Sequence, residues 1–194
     1  MRKQIITLLT TATVMLVGCS TNDGRDMSPP QGAQSETVGQ PTTTVAGATS
    51  DIVLTTPWAA NTAINARFTC DGDNVSPAVS WTGGPEDVTA WAVVLTDLSN
   101  PSYAHWAVAN IDADTMSLAE GSVPDTAAVA MNSDAKPAYS GPCPPEGSSH
   151  RYSLTVYALS QVLEAQNGDP APSMRAAIEA AAIASASSEF TYSR

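Results

Sequence analysis

Basic residues are scarce in this chain, and their scarcity excludes whole classes of partner. Only 8 of the 194 residues are Lys or Arg, against 19 Asp and Glu, so the formal net charge is −11. Binding to nucleic acid and to anionic lipid surfaces depends on clustered Lys and Arg side chains. No nucleic-acid partner is therefore expected, and a phospholipid would have to be bound in a local pocket.

Histidine is equally rare, with only two residues, His105 and His150. A zinc site needs three or four His, Cys or carboxylate ligands at suitable spacing, which two histidines in separate segments do not supply. The pair Gly83 and Gly84 lacks the strand, Gly-rich turn and helix of a nucleotide-binding loop. The Gly-x-Ser-x-Gly elbow of many hydrolases is missing from the sequence as well. The sequence therefore predicts no metal and no cofactor.

The apolar run near the N-terminus is too short to cross a membrane. Arg2 and Lys3 precede a mostly apolar stretch at residues 5–17, and the sequence LVGC at 16–19 ends it. A spanning helix needs about 20 apolar residues, so this layout indicates an export signal instead. Its final Cys resembles a bacterial lipobox, which predicts cleavage before Cys19 and attachment of fatty acids such as palmitate to the new terminus. The alternative is a secreted protein with a chance Cys at this position.

The sequence divides into three parts. Residues 1–18 form the predicted lipoprotein signal peptide. Residues 19–50 begin with lipidated Cys19 and are rich in Ser, Thr, Gly, Pro and Gln without apolar periodicity, which predicts a disordered tether spanning about 30 Å. Residues 51–194 have the length of one ordinary domain. The lipid would anchor this domain to the extracytoplasmic face of the cell membrane.

Two cysteines remain once Cys19 is assigned to lipid. Cys70 and Cys143 are an even pair in an exported protein, where the environment favours disulfides. If they lie close in space they can form a bond that closes a long loop. A catalytic thiol at Cys143 is the alternative, but its neighbours are prolines rather than a helix N-terminus that would stabilise a thiolate.

Strand patterns dominate the domain. An apolar run lies within residues 88–96, and residues 106–111 have the same character. Residues 151–159 alternate between apolar and polar side chains, which is typical of a half-buried strand. The tail at 189–194 also alternates and is expected to close a sheet edge.

Only one segment has a clear helical pattern. The Ala-rich run at 174–184 follows Ser173, which is the predicted N-cap, while Pro170 and Pro172 mark the entry to the helix. Many strands with one late helix predict a mostly β domain.

Three segments carry the candidate chemistry. Asp97 ends an apolar strand, where it either orients His105 or binds a ligand donor, or else caps a turn by accepting backbone N–H bonds. His105 is either a ligand-binding side chain or a plain strand histidine satisfied by a carbonyl. The loop at 141–145 contains three prolines, so it is rigid and predicts a preshaped wall, with His150 following shortly after. Tyr139 and Tyr152 flank the loop as a possible aromatic rim.

Four motifs together resemble the phosphatidylethanolamine-binding protein family, in particular its bacterial Raf kinase inhibitor-like YbhB/YbcL branch. In chain order they are FTCDG at 68–72, SPAVSW at 76–81, an Asp followed by a Pro-containing turn and His-Trp, and GPCPP followed by His-Arg-Tyr. The resemblance covers residues 52–194 and implies a two-sheet β-sandwich with a late C-terminal helix. It also implies a ligand pocket formed by Asp97, His105, Gly141, Pro142, Pro144, His150 and Tyr152.

One segment departs from the family pattern. Where the family has Asp-Pro-Asp-x-Pro, this chain has DLSNP at 97–101, so Leu98 replaces the first proline and Ser99 replaces the second acid. Loss of that acid is expected to change the ligand preference.

The combined features predict a non-enzymatic module that binds a ligand or inhibits a partner, tethered to the membrane through its lipid anchor. Two imidazoles that donate hydrogen bonds or take up a proton would form a small anion site without Lys, and the expected ligand is a phosphate-bearing small molecule or phospholipid headgroup. Two alternatives remain. One is a weak hydrolase that uses Asp97, His105 and His150; the other is a protease inhibitor acting on an extracytoplasmic protein partner.

Overall fold

The computed structural model describes residues 51–194. The predicted signal peptide, the predicted lipidation at Cys19 and the predicted tether lie outside the described residues. Nine strands, one 3-10 turn and one α-helix make up this part of the chain, so the predicted mostly β fold with a late helix is confirmed. In chain order they are β1 Val53–Thr55, β2 Thr62–Ala63, the 3-10 turn Ala66–Phe68, β3 Val79–Thr82, β4 Ala90–Asp97, β5 Ala104–Asp112, β6 Ser117–Leu118, β7 Ala128–Val129, β8 Ser149–Leu159, α1 Ala171–Ala181 and β9 Ala182–Ser193.

The strands form two sheets, as predicted. The smaller sheet has three strands in the order β1-β3-β6, and the larger has six in the order β2-β9-β8-β4-β5-β7. β4 lies in the middle of the larger sheet and pairs antiparallel with both β5 and β8. Its apolar run is buried on both faces, which explains why it lacks the alternation of a half-exposed strand.

The larger sheet separates two hydrophobic cores. The core between the sheets contains side chains of β3, β4, β5 and β8, including Trp81 and Trp91, whose ring centroids are 5.6 Å apart. The second core lies on the other face, where Met174 and Ile178 of α1 pack against Ala92 and other small residues of the sheet. Full burial of a side chain such as Ile178 stabilises the fold by about 1.5–3 kcal/mol.

The helix begins and ends earlier than its sequence predicts. Its N-cap is Pro170, which provides no side-chain bond, and Ser173 instead lies within the first turn with its backbone N–H donating to the Pro170 carbonyl. The helix stops at Ala181 rather than at residue 184, because Ala182 pairs with Leu159 at the start of β9. The Ala-rich sequence favours helix locally, but pairing with β8 decides the conformation of its last residues.

The C-terminal tail forms a longer strand than expected. β9 has 12 residues and pairs with β8 along nearly its whole length. On its other side, β9 pairs with the two-residue β2 in parallel, at Phe190 and Thr191. The rest of the strand prediction, at β4, β5 and β8, agrees with the structure.

Candidate ligand-binding site

Asp97 is the last residue of β4, and its buried carboxylate performs two tasks at once. One oxygen, Oδ1, accepts hydrogen bonds from the backbone N–H groups of Ser99 at 2.8 Å and Asn100 at 3.0 Å, and thereby caps the turn. The other oxygen, Oδ2, lies 2.7 Å from Nδ1 of His150. Asp97 therefore caps the turn, and the histidine bonded to its carboxylate is His150 rather than the predicted His105, whose Nε2 atom lies 4.0 Å from Oδ2.

His105 reaches the same place because β5 contains a bulge. Leu95 of β4 pairs with Trp106, but the next residue, Thr96, pairs with Ala104, so His105 is the extra residue. Trp106 faces the core between the sheets, and strict alternation would turn His105 away from that side. The bulge redirects the imidazole, which is the usual local effect of an added residue in one strand. Its Nε2 atom comes to 4.0 Å from Oδ2 of Asp97.

The hydrogen bonds of His105 fix which ring nitrogen carries the proton. Its Nδ1 lies 2.8 Å from the Ser140 carbonyl oxygen, which only accepts, so Nδ1 is the donor. Burial lowers the pKa of His105, which favours the neutral ring and outweighs the opposite effects of the Ser140 bond and the Asp97 charge. In the neutral ring, Nε2 carries a lone pair instead of a proton. This lone pair faces the Asp97 carboxylate, which is also an acceptor.

His150 provides the exposed side of the cluster. It lies near the start of β8, and its side chain is 19% exposed, whereas those of Asp97 and His105 are only 4% and 3% exposed. Its Nδ1 donates to a carboxylate oxygen of Asp97, which leaves Nε2 for another partner.

Tyr152 completes the cluster with a buried hydroxyl. It pairs with Asp97 across the β4–β8 ladder and has no solvent exposure. Its ring lies edge-on to His105, with centroids 5.4 Å apart, and stacks on Phe190 at 5.3 Å. The hydroxyl makes no hydrogen bond, although the Asp97 carboxylate and the Cys143 backbone lie nearby. Burial first, and then the Asp97 charge, raise the pKa of Tyr152 well above its usual range, so the phenol stays protonated.

The Pro-rich loop packs behind this cluster, with Gly141, Pro142 and Pro144 all buried. The Gly141 N–H donates to Oδ1 of Asn74 at 2.7 Å, and a Cβ at this glycine would lie 2.4 Å from the Phe68 carbonyl oxygen. Only glycine fits at this position, because the backbone of the neighbouring turn is too close for any side chain.

Sequence comparison decides what kind of domain this is. The profile of the phosphatidylethanolamine-binding protein family matches residues 55–193, which is most of the chain. The chain belongs to the phosphatidylethanolamine-binding protein family.

Individual relatives of the family agree with this assignment. A UPF0098 protein of Methanothermobacter thermautotrophicus is 39% identical over 112 residues, covering 54% of this chain and 74% of the relative. The Mycobacterium tuberculosis protein named "Putative lipoprotein LppC" is 33% identical over 160 residues, covering 80% of this chain and 78% of the relative.

Solved structures share the fold. The Escherichia coli protein YbcL, described as a new member of the mammalian PEBP family, superposes with a TM-score of 0.69 at 24% identity, covering 74% of this chain and 98% of YbcL. A PEBP homologue of Chlamydia trachomatis, CT736, gives a TM-score of 0.66 at 26% identity, covering 75% and 99% of the two chains. The predicted resemblance to the family and the two-sheet fold are thereby confirmed.

Four of the predicted site residues form a connected cluster in this family domain: Asp97, His105, His150 and Tyr152. The loop residues Gly141, Pro142 and Pro144 stand beside it: the Gly141 backbone lies near His105, and the Cys143 backbone near Tyr152.

The second tyrosine of the expected aromatic rim is not part of this cluster. The hydroxyl of Tyr139 donates to the Phe68 carbonyl at 2.7 Å, and its ring packs against Trp106. Arg151, which follows His150, pairs with Glu189 at 3.2 Å on the surface and contributes no charge to the cluster.

The structure joins Cys70 and Cys143 in a disulfide with a Cα–Cα distance of 5.4 Å. A sulfur held in this bond is not available as a nucleophile, so the catalytic-thiol alternative does not agree with the structure. The Cys70 N–H also donates to the Pro142 carbonyl at 3.2 Å, so the bond and this contact together attach the loop to the turn at 66–72.

Three residues near the site were not anticipated from the sequence. Ser140 holds His105 through its carbonyl, and Tyr103 packs its ring on the imidazole with centroids 4.6 Å apart. Asp134 accepts hydrogen bonds from the side chains of both. A backbone carbonyl leaves no signal in a sequence, but Ser140 directly precedes the Gly-Pro motif and could have been considered on that basis.

Residues 51–194 contain neither a metal-binding cluster nor a membrane-spanning helix. No group of three or more His, Cys or carboxylate side chains in this part of the chain is arranged to hold a metal ion. None of its helices has the length and hydropathy needed to cross a membrane.

Proposed function

We propose that the cluster of Asp97, His105, His150 and Tyr152 binds a phosphate-bearing ligand, such as a phospholipid headgroup, and that the domain acts as a binding module rather than an enzyme. The observation that carries this proposal is the buried Tyr152 hydroxyl, which has no hydrogen-bond partner although the Asp97 carboxylate lies nearby. A buried unpaired hydroxyl costs about 1–3 kcal/mol, and a bound acceptor would remove that cost.

The cluster offers donors suited to a phosphate group without any Lys or Arg. The Tyr152 hydroxyl is one donor, and Nε2 of His150 becomes another when that ring is protonated beside Asp97. A phosphate group entering at the exposed side of the cluster would meet His150 first, and it would reach the buried Tyr152 hydroxyl only after covering side chains move aside. This arrangement suits a chain of formal net charge −11, which cannot attract anions over long distances.

The same cluster also offers acceptors. Nε2 of His105 and Oδ2 of Asp97 face each other at 4.0 Å, and neither is a donor when the imidazole is neutral. Two acceptors so close favour a donor between them, such as a protonated phosphate or an ammonium group. The cluster therefore suits a ligand that carries both a phosphate and an amine, as phosphoethanolamine does.

We propose further that the domain is held at the extracytoplasmic face of the membrane by lipid on Cys19 and by the tether at residues 19–50. The lipobox-like sequence and the relative named as a lipoprotein support this anchorage. Each buried methylene contributes about 0.8 kcal/mol, so two or more acyl chains give stable attachment. An anchored domain would meet headgroups or an extracytoplasmic protein partner without a charged membrane-binding surface.

A weak hydrolase is the second candidate, because the 2.7 Å contact of Asp97 with His150 is the pairing that orients a general base. Within residues 51–194, however, no Ser, Thr or Cys side chain is hydrogen-bonded to either imidazole. This lack of a positioned nucleophile supports binding over hydrolysis.

Calorimetric titration of the full chain in a phospholipid-free detergent tests the proposal. Inorganic phosphate, phosphoethanolamine, ethanolamine and short-chain phosphatidylethanolamine are compared as ligands. Tyr152→Phe removes the unpaired hydroxyl alone, and Tyr157→Phe on the same strand is the matched control, since Tyr157 packs on the helix side of the sheet. The expected result is saturable binding that weakens about tenfold in Tyr152→Phe and is unchanged in Tyr157→Phe.

His105→Ala and His150→Ala are each expected to reduce this affinity while the fold is retained. Equal affinity in all the variants would contradict the assignment of the site. If the wild type binds none of the probes, the phosphate site is contradicted and a protein partner is the expected ligand. Turnover of a chromogenic ester or phosphate that is lost in His150→Ala would instead favour the hydrolase.

A further inference from the structure

Asp134 lies outside the proposed ligand cluster but is connected to it by both of its carboxylate oxygens. Oδ2 accepts a hydrogen bond from the Ser140 hydroxyl at 2.6 Å, and Oδ1 accepts one from the Tyr103 hydroxyl at 2.8 Å. These two bonds, that of Ser140 first, lower the pKa of Asp134, so its side chain is ionised at neutral pH. Hydrogen bonds to an ionised acceptor are about twice as strong as those between neutral groups.

The two residues that Asp134 holds are the two that fix the His105 ring from its outer side. The Ser140 carbonyl accepts the Nδ1 proton at 2.8 Å, and the Ser140 N–H donates back to the His105 carbonyl at 3.0 Å. The ring of Tyr103 covers the imidazole with centroids 4.6 Å apart. One carboxylate is therefore hydrogen-bonded to both of the residues that contact this imidazole.

The loop that carries Asp134 is itself held in place. Oδ1 of the buried Asn132 accepts from the N–H groups of Asp134 and Lys136, each at 3.0 Å, and its Nδ2 donates to the Ala138 carbonyl at 2.9 Å. Ser133 binds the first residue of β5 twice: its hydroxyl accepts from the Ala104 N–H at 2.8 Å, and its own N–H donates to the Ala104 carbonyl at 3.0 Å. Asp134 is thus presented to His105 by a preorganised loop rather than by a freely moving side chain.

We propose that Asp134 is a positioning residue for His105, which it keeps in the tautomer with the proton on Nδ1 and the Nε2 lone pair directed into the ligand cluster. Its consequence for binding rests on the proposed function, because that lone pair is one of the acceptors offered to the ligand. The effect on the tautomer does not depend on any ligand.

Several charged or titratable groups surround this imidazole, and their effects have to be separated. The groups that face it or its immediate partners are Asp97 from β4, His150 and Tyr152 from β8, Tyr103 from the turn before β5, and Asp134 with Lys136 from the loop. The negative charge of Asp134 raises the pKa of His105, and the Ser140 hydrogen bond that Asp134 supports raises it as well. Loss of the carboxylate is therefore expected to lower the pKa of His105 further.

The test is nitrogen NMR of the full chain in detergent micelles, with ¹⁵N-labelled histidine. Only two histidines are present, so the ring nitrogens give two sets of signals, and the chemical shifts of Nδ1 and Nε2 report which one is protonated. Asp134→Asn removes the charge and one of the two acceptors with little change in size. Asp125→Asn is the matched control, because it removes the same charge from another exposed loop residue.

In Asp134→Asn, the fraction of His105 with its proton on Nε2 is expected to rise at neutral pH, and its titration is expected to move to lower pH. Asp125→Asn should leave both unchanged. Ser140→Ala is a second variant, which frees the carboxylate from Ser140 while the backbone carbonyl remains, and it should shift the tautomer in the same direction. A purely structural role would lower the stability without changing the tautomer.

An unchanged tautomer and titration of His105 in Asp134→Asn and Ser140→Ala would overturn the proposal. This experiment distinguishes failure of the positioning role from failure of the proposed function. If the wild type binds no phosphate probe but the tautomer shifts in the variants, the positioning role stands and the ligand assignment fails. If the wild type binds phosphoethanolamine and the tautomer does not shift, the ligand site stands and the role of Asp134 fails.

Discussion

His150 donates a hydrogen bond to the Asp97 carboxylate at 2.7 Å, while the second oxygen of that carboxylate caps the turn that follows β4. The proposed binding residue and the local fold therefore depend on the same side chain. Changes at Asp97 should affect the stability of the domain and its ligand affinity together.

Asp97→Asn is expected to lower the free energy of unfolding by about 1–3 kcal/mol, because a buried, charge-assisted pair is replaced by a neutral one. The amide oxygen can still accept from Ser99 and Asn100, so the turn should remain. Urea unfolding followed by Trp fluorescence measures the change. Asp112→Asn, at an exposed residue of β5, is the control and should have little effect. Equal stability of the Asp97 variant and the wild type would show that the buried pair does not stabilise the fold.

Gly141→Ala should destabilise the domain through a steric clash. The added Cβ would lie 2.4 Å from the Phe68 carbonyl oxygen and 2.9 Å from the Thr69 Cα, both of which are backbone atoms. Inserting a group into a tightly packed region typically costs about 1–3 kcal/mol. Thermal unfolding measured by circular dichroism would detect the loss.

Gly147→Ala is the control for that variant, since its Cβ would meet nothing within 4 Å but its φ of +78° places the residue in the left-handed region. It should cost only the backbone strain, about 1–2 kcal/mol. If Gly147→Ala proves more damaging than Gly141→Ala, then backbone conformation rather than close packing governs the loop.

Much of the sheet follows from sequence patterns, because the patterns that define it are local. The apolar run of β4 and the alternation of β8 can each be recognised within the strand itself. The end of α1 is different: Ala182 and Ala184 are good helix formers, yet they belong to β9 because β8 offers a full ladder of backbone hydrogen bonds. Such a long-range competition cannot be judged from the helical segment alone.

The candidate site could be predicted only in part for a related reason. Asp97, His105 and His150 were identified because their motifs resemble those of a known family. Ser140 and Asp134 act through a backbone carbonyl and a loop contact, and a bulge that no pattern revealed places His105 beside Asp97. Residues whose effect depends on backbone geometry leave little trace in composition or periodicity.

Loss of the disulfide should weaken the domain substantially. The bond joins residues 73 positions apart, and the chain-entropy model assigns about 4 kcal/mol to a loop of that length. Cys70→Ser with Cys143→Ser is therefore expected to lower the unfolding free energy by up to that amount. Addition of a dithiol reductant should destabilise the wild type and leave the double variant unchanged. Equal stability of the wild type with and without reductant, with both thiols shown to be free by mass spectrometry, would contradict this expectation.

The stability of the domain should also depend on pH through His105. Burial lowers the pKa of this histidine below its ordinary value of 6.5 in the folded state. Between the lowered pKa and 6.5, the unfolded chain binds more protons at this residue than the native protein does, so the unfolding free energy decreases as the pH falls through that window. Above it both states are neutral and the contribution is constant.

The variant His105→Gln isolates this effect, because the carboxylates titrate in both proteins and largely cancel in the difference. The difference in unfolding free energy between wild type and variant, measured by urea unfolding from pH 8 down to pH 5, should shrink as the pH decreases. A difference that stays constant over this range would mean that the buried imidazole is protonated as readily in the native protein as in the unfolded chain. A difference that grows at low pH would mean that the native environment favours the imidazolium, with the Asp97 charge outweighing burial.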